Sequence, residues 1–164
     1  MSEEQKGCRK GNLGCKEQLT IDSVVLKQAE KGHRNLHVGY IDYKKAFDSI
    51  PHSWLLRVLN IYKVHPVVVK FLEGVMTTWR TRVVVSGSSS PTVTGIILIK
   101  RGIFQGDCLS ALWFCLGLNP LSNRVSRENL GFSLRLAGKE IHKVSHLLYV
   151  DDIKIYLCLQ ERPT

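Results

Sequence analysis

The chain has 164 residues, enough for one ordinary domain around a single core. Apolar residues make up 44% and charged residues 23%, a globular balance that excludes a disordered chain, and the net charge of +9 favours a polyanionic partner, of which nucleic acid is the commonest. The five cysteines include no CxxC pair, which excludes a zinc-finger spacing and argues against a disulfide framework. Cys115 and Cys158 lie in apolar runs and read as buried thiols. The polar start MSEEQKGCRKG is not a signal peptide, and no apolar run is long enough to span a bilayer. An intracellular, soluble protein with no membrane partner is therefore expected.

Residues 1 to 15 are basic and glycine-rich and read as loop. From Lys16 to Lys31 a stripe of Leu19, Val24, Val25 and Ala29 predicts a helix, with Gly32 as its stop. Leu36 to Asp42 alternates Leu36, Val38 and Tyr40 on one face and predicts a strand ending in Asp42. Pro51 opens the next helix, whose face is Trp54, Leu55, Val58, Leu59 and Tyr62. A further helix after Pro66 carries Val67, Val68, Phe71, Leu72, Val75, Met76 and Trp79. Thr81 to Ser86 is β-rich, SGSSSP is a turn, and Thr92 to Lys100 reads as a returning strand. RGIFQGD is a glycine-punctuated loop before a buried helix at Ala111 to Leu118, which Pro120 kinks or restarts. Short strands flank Gly138, and Val144 to Leu159 predicts a hairpin. Strands and helices mix without regular βαβ alternation, which predicts an α+β fold with an antiparallel sheet.

That last hairpin reads YVDDIKIY and carries Asp151 and Asp152 at its tip. If the strand ending in Asp42 lies beside it, three carboxylates meet at one edge. Like charges so close repel, and divalent cations remove that cost by taking each carboxylate as an oxygen ligand. Two such ions ~3.5–4 Å apart form the clamp used for phosphoryl displacement. Each acid also has a plainer reading. An Asp pair at a hairpin tip is ordinary turn chemistry, and Asp48 or Ser49 could cap the following helix.

Three stretches taken together, IDYKKAFDSI, RGIFQGDCLS and YVDDIKIY, resemble palm motifs A, B and C of reverse transcriptases, in that order. EQKGCRKGNLGCKEQL ahead of motif A, and WFCLGLNPLS and HLLYVDDIKIY after motif A, are similar to the non-LTR retrotransposon type. The resemblance runs from Glu4 to Leu159. It implies a right-hand polymerase palm with partial fingers, an antiparallel sheet backed by helices. Residues 1–35 would be fingers-like and 36–164 palm with an inserted fingers portion, the thumb being absent.

The implied activity is RNA-directed DNA synthesis by two-metal nucleotidyl transfer. By the same resemblance Asp42, Asp151 and Asp152 would be catalytic and would hold two Mg²⁺ ions, or Mn²⁺, with the Tyr43 carbonyl. Phe47 would screen the sugar of the incoming nucleotide, and Gln105 and Gly106 would approach the nascent base pair. Arg9, Lys10 and Arg101 would touch nucleic acid, and Tyr149 would lie near the primer end. Core packing for Phe47 and Tyr149 and solvated charge for the basic residues are the plainer alternatives. The partners would be an RNA template, a DNA primer and dNTP, and priming on chromosomal DNA would place the protein in the nucleus. Oligomeric state is not legible.

The chain departs from the family pattern in three ways. By the resemblance, a fingers segment upstream of GCRKG, with a basic residue for the triphosphate, is expected to be missing, and so are the remaining palm elements and the thumb beyond Thr164. In QGDCLSAL, Ala111 stands where a proline often follows, and Asp107 adds a charge beside the glutamine-glycine pair. A polymerase fragment, weakly active or inactive by itself, is therefore expected. Its rivals are a non-catalytic nucleic-acid-binding remnant of a retrotransposon, in which the charge does the binding, a decayed product that does not fold, and an unrelated α+β domain.

Overall fold

In a computed structural model that describes residues 1–87 and 91–158, the chain mixes helices and short strands. In order these are α1 (Cys15–Lys31), β1 (His37–Ile41), α2 (Ala46–Ser49), α3 (His52–Ile61), α4 (Pro66–Thr78), β2 (Arg80–Thr81), β3 (Val84–Val85), β4 (Thr92–Val93), β5 (Ile97–Leu98), α5 (Cys108–Arg127), β6 (Phe132–Leu136), β7 (Lys139–Val144), β8 (His146–Tyr149) and β9 (Asp152–Leu157). Every strand ladder among the described residues is antiparallel, so the mixed α and β expectation holds. The chain divides into two units. One joins Met1–Lys44 to the described residues from Asp107 onward, and the other is Lys45–Gly106.

The first unit is built on a three-stranded sheet in the order β1-β9-β8. Alternation along β8 and β9 gives the sheet two differently covered faces. Leu147 and Tyr156 join Val25 and Ala29 of α1 in one cluster with Phe132 and Val144. His146, the neighbour of Leu147, instead meets Ser122 of α5, its Nε2 2.7 Å from the hydroxyl. α1 and α5 therefore lie on opposite faces. The β6–β7 hairpin closes the cluster with Phe132, over whose ring the Arg34 guanidinium sits at 4.0 Å.

Several expectations for this unit need correction. On α1, Leu19 and Val24 are exposed, and the buried side is Gln18, Val25 and Ala29. Gln18 could not be seen in an apolar stripe because it is buried by hydrogen bonds, its Nε2 donating to the carbonyls of Glu4 and Leu148, each at 2.8 Å. Gly32 is indeed the C-cap, but its φ is −89°, and the left-handed residue is His33 at 47°. Residues 1 to 15 are more than a loop, since Gln5 is fully buried and bridges Leu148 in parallel. α5 is longer than expected and does not restart at Pro120.

The second unit packs α3 against α4 around Leu55, Val58, Leu59, Val69 and Met76, with Ala46, Ile50 and Ile103 also buried. α4 forms where expected, behind Pro66 and the His65 ring that accepts from the Val67 N–H. Its expected face holds only in part: Met76 is buried and Leu72, Val75 and Trp79 are half-buried, but Val67, Val68 and Phe71 are exposed. Two buried residues seven apart, Val69 and Met76, mark a narrower contact stripe than the run of apolar residues suggested. The returning strand over Thr92 to Lys100 is split into β4 and β5, which pair separately with β3 and β2. The Thr94 hydroxyl sits at the break, accepting from the Val83 N–H and donating to the Gly95 carbonyl. Pro51 is the N-cap of α3 rather than its first residue. Asp48 and Ser49 belong to α2, so neither caps α3. Residues 88–90 of the SGSSSP turn, and Leu159 at the end of the expected hairpin, lie outside the described residues.

Candidate active site

The acids at one edge of the three-stranded sheet are brought there by strand register. Tyr149 pairs with Asp152, which leaves Val150 and Asp151 as the two turn residues between β8 and β9. On the other side of β9, Ile41 pairs with Ile153, so Asp42 leaves β1 beside position 152. Residues over a hundred positions apart in the chain thus share one sheet end. Asp42 and Asp152 are exposed and Asp151 is half-buried. Val150 has a φ of 57°. Positive φ at the first turn residue alone is the pattern of a II′-type turn, which ordinarily has glycine there.

Asp42 and Asp152 line the same cavity, about 400 Å³, between the sheet and α1. Asp22 of α1 and Lys154 line it too; the Lys154 ammonium meets the Asp22 carboxylate at 2.6 Å, and the Tyr156 hydroxyl donates to the same oxygen at 2.5 Å. Burial pushes the Lys154 ammonium down, but Asp22 and the Tyr40 phenol outweigh it and the net shift is upward. Burial, and then the Asp22 charge, push the Tyr156 phenol up. Asp151 lies nearer α5. There burial pushes the Cys115 thiol up to about 12, with Cys8 next and the Asp151 charge adding to the shift.

The donor chemistry suits a hard divalent cation. Three carboxylates stand at one edge, and none makes a hydrogen bond or ion pair with another described residue. They are not drawn into a chelate, however. Among the described residues no three His, Cys, Asp or Glu side chains form a group ready to hold a metal.

Of the other expected residues of this unit, Tyr149 and Tyr43 adjoin that edge in the chain, and Arg9 and Lys10 lie on the N-terminal segment. Tyr149 is exposed, and the neighbouring Cys15 thiol pushes its phenol up. Tyr43 is half-buried just after Asp42. Arg9 and Lys10 are exposed, and the Arg9 guanidinium donates to the Ser2 carbonyl at 3.1 Å.

Comparison with known proteins decides what kind of chain this is. The family model described as "Reverse transcriptase (RNA-dependent DNA polymerase)" matches residues 1–162. The chain belongs to the reverse transcriptase family. It is 30% identical over 144 residues to the retrovirus-related Pol polyprotein of type-1 retrotransposable element R2 from Popillia japonica, covering 88% of this chain and 22% of that protein. It is 30% identical over 140 residues to the R2 counterpart from Nasonia vitripennis, covering 85% and 13%. For the type-2 element R2DM of Drosophila melanogaster the identity is 29% over 115 residues, covering 70% and 10%. The expected kinship to non-LTR retrotransposon reverse transcriptases holds, and the chain spans about a fifth or less of these relatives. Among the described residues no helix is long and apolar enough to cross a membrane.

The remaining expected residues of this reverse transcriptase chain lie in its second unit. Phe47 is half-buried on α2, and its carbonyl accepts from the Ile103 N–H at 2.9 Å. Arg101 is exposed and bridges Pro51. Gln105 and Gly106 are exposed, and Gly106 has a φ of 90° with open space where a Cβ would be. Arg101 and Gln105 line a cavity of about 380 Å³ with Asp48, Trp79 and Phe104. Sequence reasoning missed Gly102, whose φ is 88° and where a Cβ would come within 2.8 Å of the Asp48 carbonyl. It also missed Asp22 and Lys154. The available signal was helical spacing: Gln18, Asp22, Val25 and Ala29 fall on one side of α1, with polar residues at the two N-terminal places.

Proposed function

We propose that this chain carries the polymerising centre of an RNA-directed DNA polymerase working by two-metal nucleotidyl transfer. The observation that carries the reading is the strand register, which pairs Ile41 with Ile153 and Tyr149 with Asp152 and so brings Asp42 to the Asp151–Asp152 turn. On this reading the β1-β9-β8 sheet with α1 and α5 is the palm, a right-hand polymerase palm with partial fingers. Residues 1–35 are fingers-like, and the rest is palm with an inserted fingers portion. Asp42, Asp151, Asp152 and the Tyr43 carbonyl would hold two Mg²⁺ ions, or Mn²⁺. Bound there, the ions supply Lewis acidity to the attacking 3′-hydroxyl and the departing pyrophosphate.

The protein's own share is positioning. Phe47 would exclude a ribose 2′-hydroxyl, Gln105 and Gly106 would bear on the nascent base pair, and Tyr149 would flank the primer end. Arg9, Lys10 and Arg101 would contact the phosphate backbone, in line with the charge of +9. The partners are an RNA template, a DNA primer and dNTP, and the site of action is the nucleus.

By itself the chain is expected to turn over weakly. The three carboxylates are not preassembled, and misplacement by ~1 Å can cost about a hundredfold in rate. The test is single-turnover addition of one deoxynucleotide to a DNA primer on RNA, with Mn²⁺ or Mg²⁺. Slow addition that Asp151→Asn reduces by about a hundredfold or more is expected, because that carboxylate supplies a metal oxygen. Addition that persists in Asp151→Asn overturns the reading. Salt-sensitive RNA binding with no metal-dependent addition at all would favour the non-catalytic binding remnant instead.

A further inference from the structure

The turn that presents Asp151 is strained, and something other than its own sequence holds it. Val150 is β-branched and sits at a φ of 57°, a conformation that L-residues with a branched Cβ rarely adopt. Such a residue persists only where its surroundings over-determine it. Both polar backbone groups of Val150 are taken by one side chain. The Gln5 carboxamide accepts from the Val150 N–H at 2.9 Å and donates to the Val150 carbonyl at 3.1 Å. The same Gln5 oxygen accepts from the Gly7 N–H at 2.9 Å, so the amide has one consistent orientation.

Gln5 is itself fixed. It is fully buried, and the chain on either side of it is laced to β8. The Lys6 N–H donates to the Leu148 carbonyl at 3.0 Å, and the Leu148 N–H donates to the Glu4 carbonyl at 3.2 Å. Gln18 of α1 ties the carbonyls of Glu4 and Leu148 together from the other side. Gly7 completes the enclosure. A Cβ there would stand 2.7 Å from Val150 Cγ2, 2.9 Å from its amide nitrogen and 3.0 Å from the Gln5 oxygen. The segment can close over the turn only with hydrogen at that position.

We propose that Gln5 is a positioning residue for the metal-binding hairpin, clamping Val150 in its left-handed conformation so that Asp151 faces the cation site. The inference rests on the reading of Asp42, Asp151 and Asp152 as that site. Gln5 touches neither substrate nor metal. It acts through the backbone of the residue before Asp151.

The test uses the whole chain with Gln5→Met, which keeps the volume and removes both hydrogen bonds, and the double variant Gln5→Met/Val150→Gly, in which residue 150 adopts positive φ without help. Two quantities are read: the Mn²⁺ dissociation constant from electron paramagnetic resonance, and hydrogen exchange at the Val150 amide without metal. Gln5→Met should weaken Mn²⁺ binding about tenfold, in keeping with the strain at such a position, and speed exchange at Val150. Val150→Gly in that background should restore most of the Mn²⁺ affinity. A merely structural role would lower the melting temperature, leave Mn²⁺ affinity of the folded protein unchanged, and gain nothing from the added glycine.

Native protein that binds Mn²⁺ while Gln5→Met binds it equally well overturns the clamp and spares the metal site. So does weakened binding that the glycine does not restore. Native protein that binds no Mn²⁺ overturns the metal site, and the positioning role falls with it.

Discussion

His146 is a single residue whose protonation the fold opposes. It is fully buried between two hydroxyls, Ser122 at 2.7 Å from Nε2 and Ser145 at 2.8 Å from Nδ1. Burial pushes its pKa below the usual 6.5, and the Glu4 charge offsets this only in part. The unfolded chain therefore takes up a proton at a pH where the folded chain does not, so the stability contribution is present above about 6.5 and is lost as pH falls below it. The melting temperature of the native protein should drop more between about pH 7 and pH 5 than that of His146→Gln, as followed by circular dichroism. Equal drops would contradict the assignment. Residues of this kind are poorly legible in sequence. HLLYVDDIKIY shows an acid pair, but nothing in it shows that His146 is buried against α5 or that Val150 is strained. Both facts are created by partners far along the chain, Ser122 in one case and Gln5 in the other.

At the scale of elements, α1 and β9 are joined by the Asp22 carboxylate, which serves Lys154 and Tyr156 at once. Both charged side chains are largely withdrawn from solvent, at 14% and 20% exposed. Asp22→Ala leaves a cation and a phenol without their partner, and should cost about 2–4 kcal/mol of stability by urea denaturation. Asp22→Asn, which keeps an acceptor oxygen, should cost less. A loss within about 0.5 kcal/mol for Asp22→Ala, the range of ordinary surface changes, would show that the contact does not hold the helix to the sheet. Elements were more legible than single residues because periodicity is a local signal. α1, α3, α4 and the β8–β9 hairpin all stand where their patterns put them. The faces were less legible. Tyr40 alternates with Val38 as expected for a strand face, yet it is exposed, since it sits over the cavity rather than in the cluster. On α4 an almost continuous apolar run hid the fact that Val69 and Met76 are the buried residues, with Leu72 and Val75 half-buried beside them.

For the whole molecule, three ordered motifs carried the family, and the match over residues 1–162 establishes it. No single motif would have sufficed, because Asp-Asp tips and glycine turns are common. The convergence of Asp42 with Asp151 and Asp152 depends on β9 lying between β1 and β8, a pairing that no local pattern encodes. The central claim is that these acids form one divalent-cation site. Mn²⁺ titrated into isotope-labelled protein, with amide signals followed by nuclear magnetic resonance, tests it most directly. Broadening at the lowest Mn²⁺ levels should centre on residues 41–43 and 150–153 and vanish in the Asp42→Asn/Asp151→Asn double variant. Broadening centred elsewhere, or unchanged in that variant, would contradict the account.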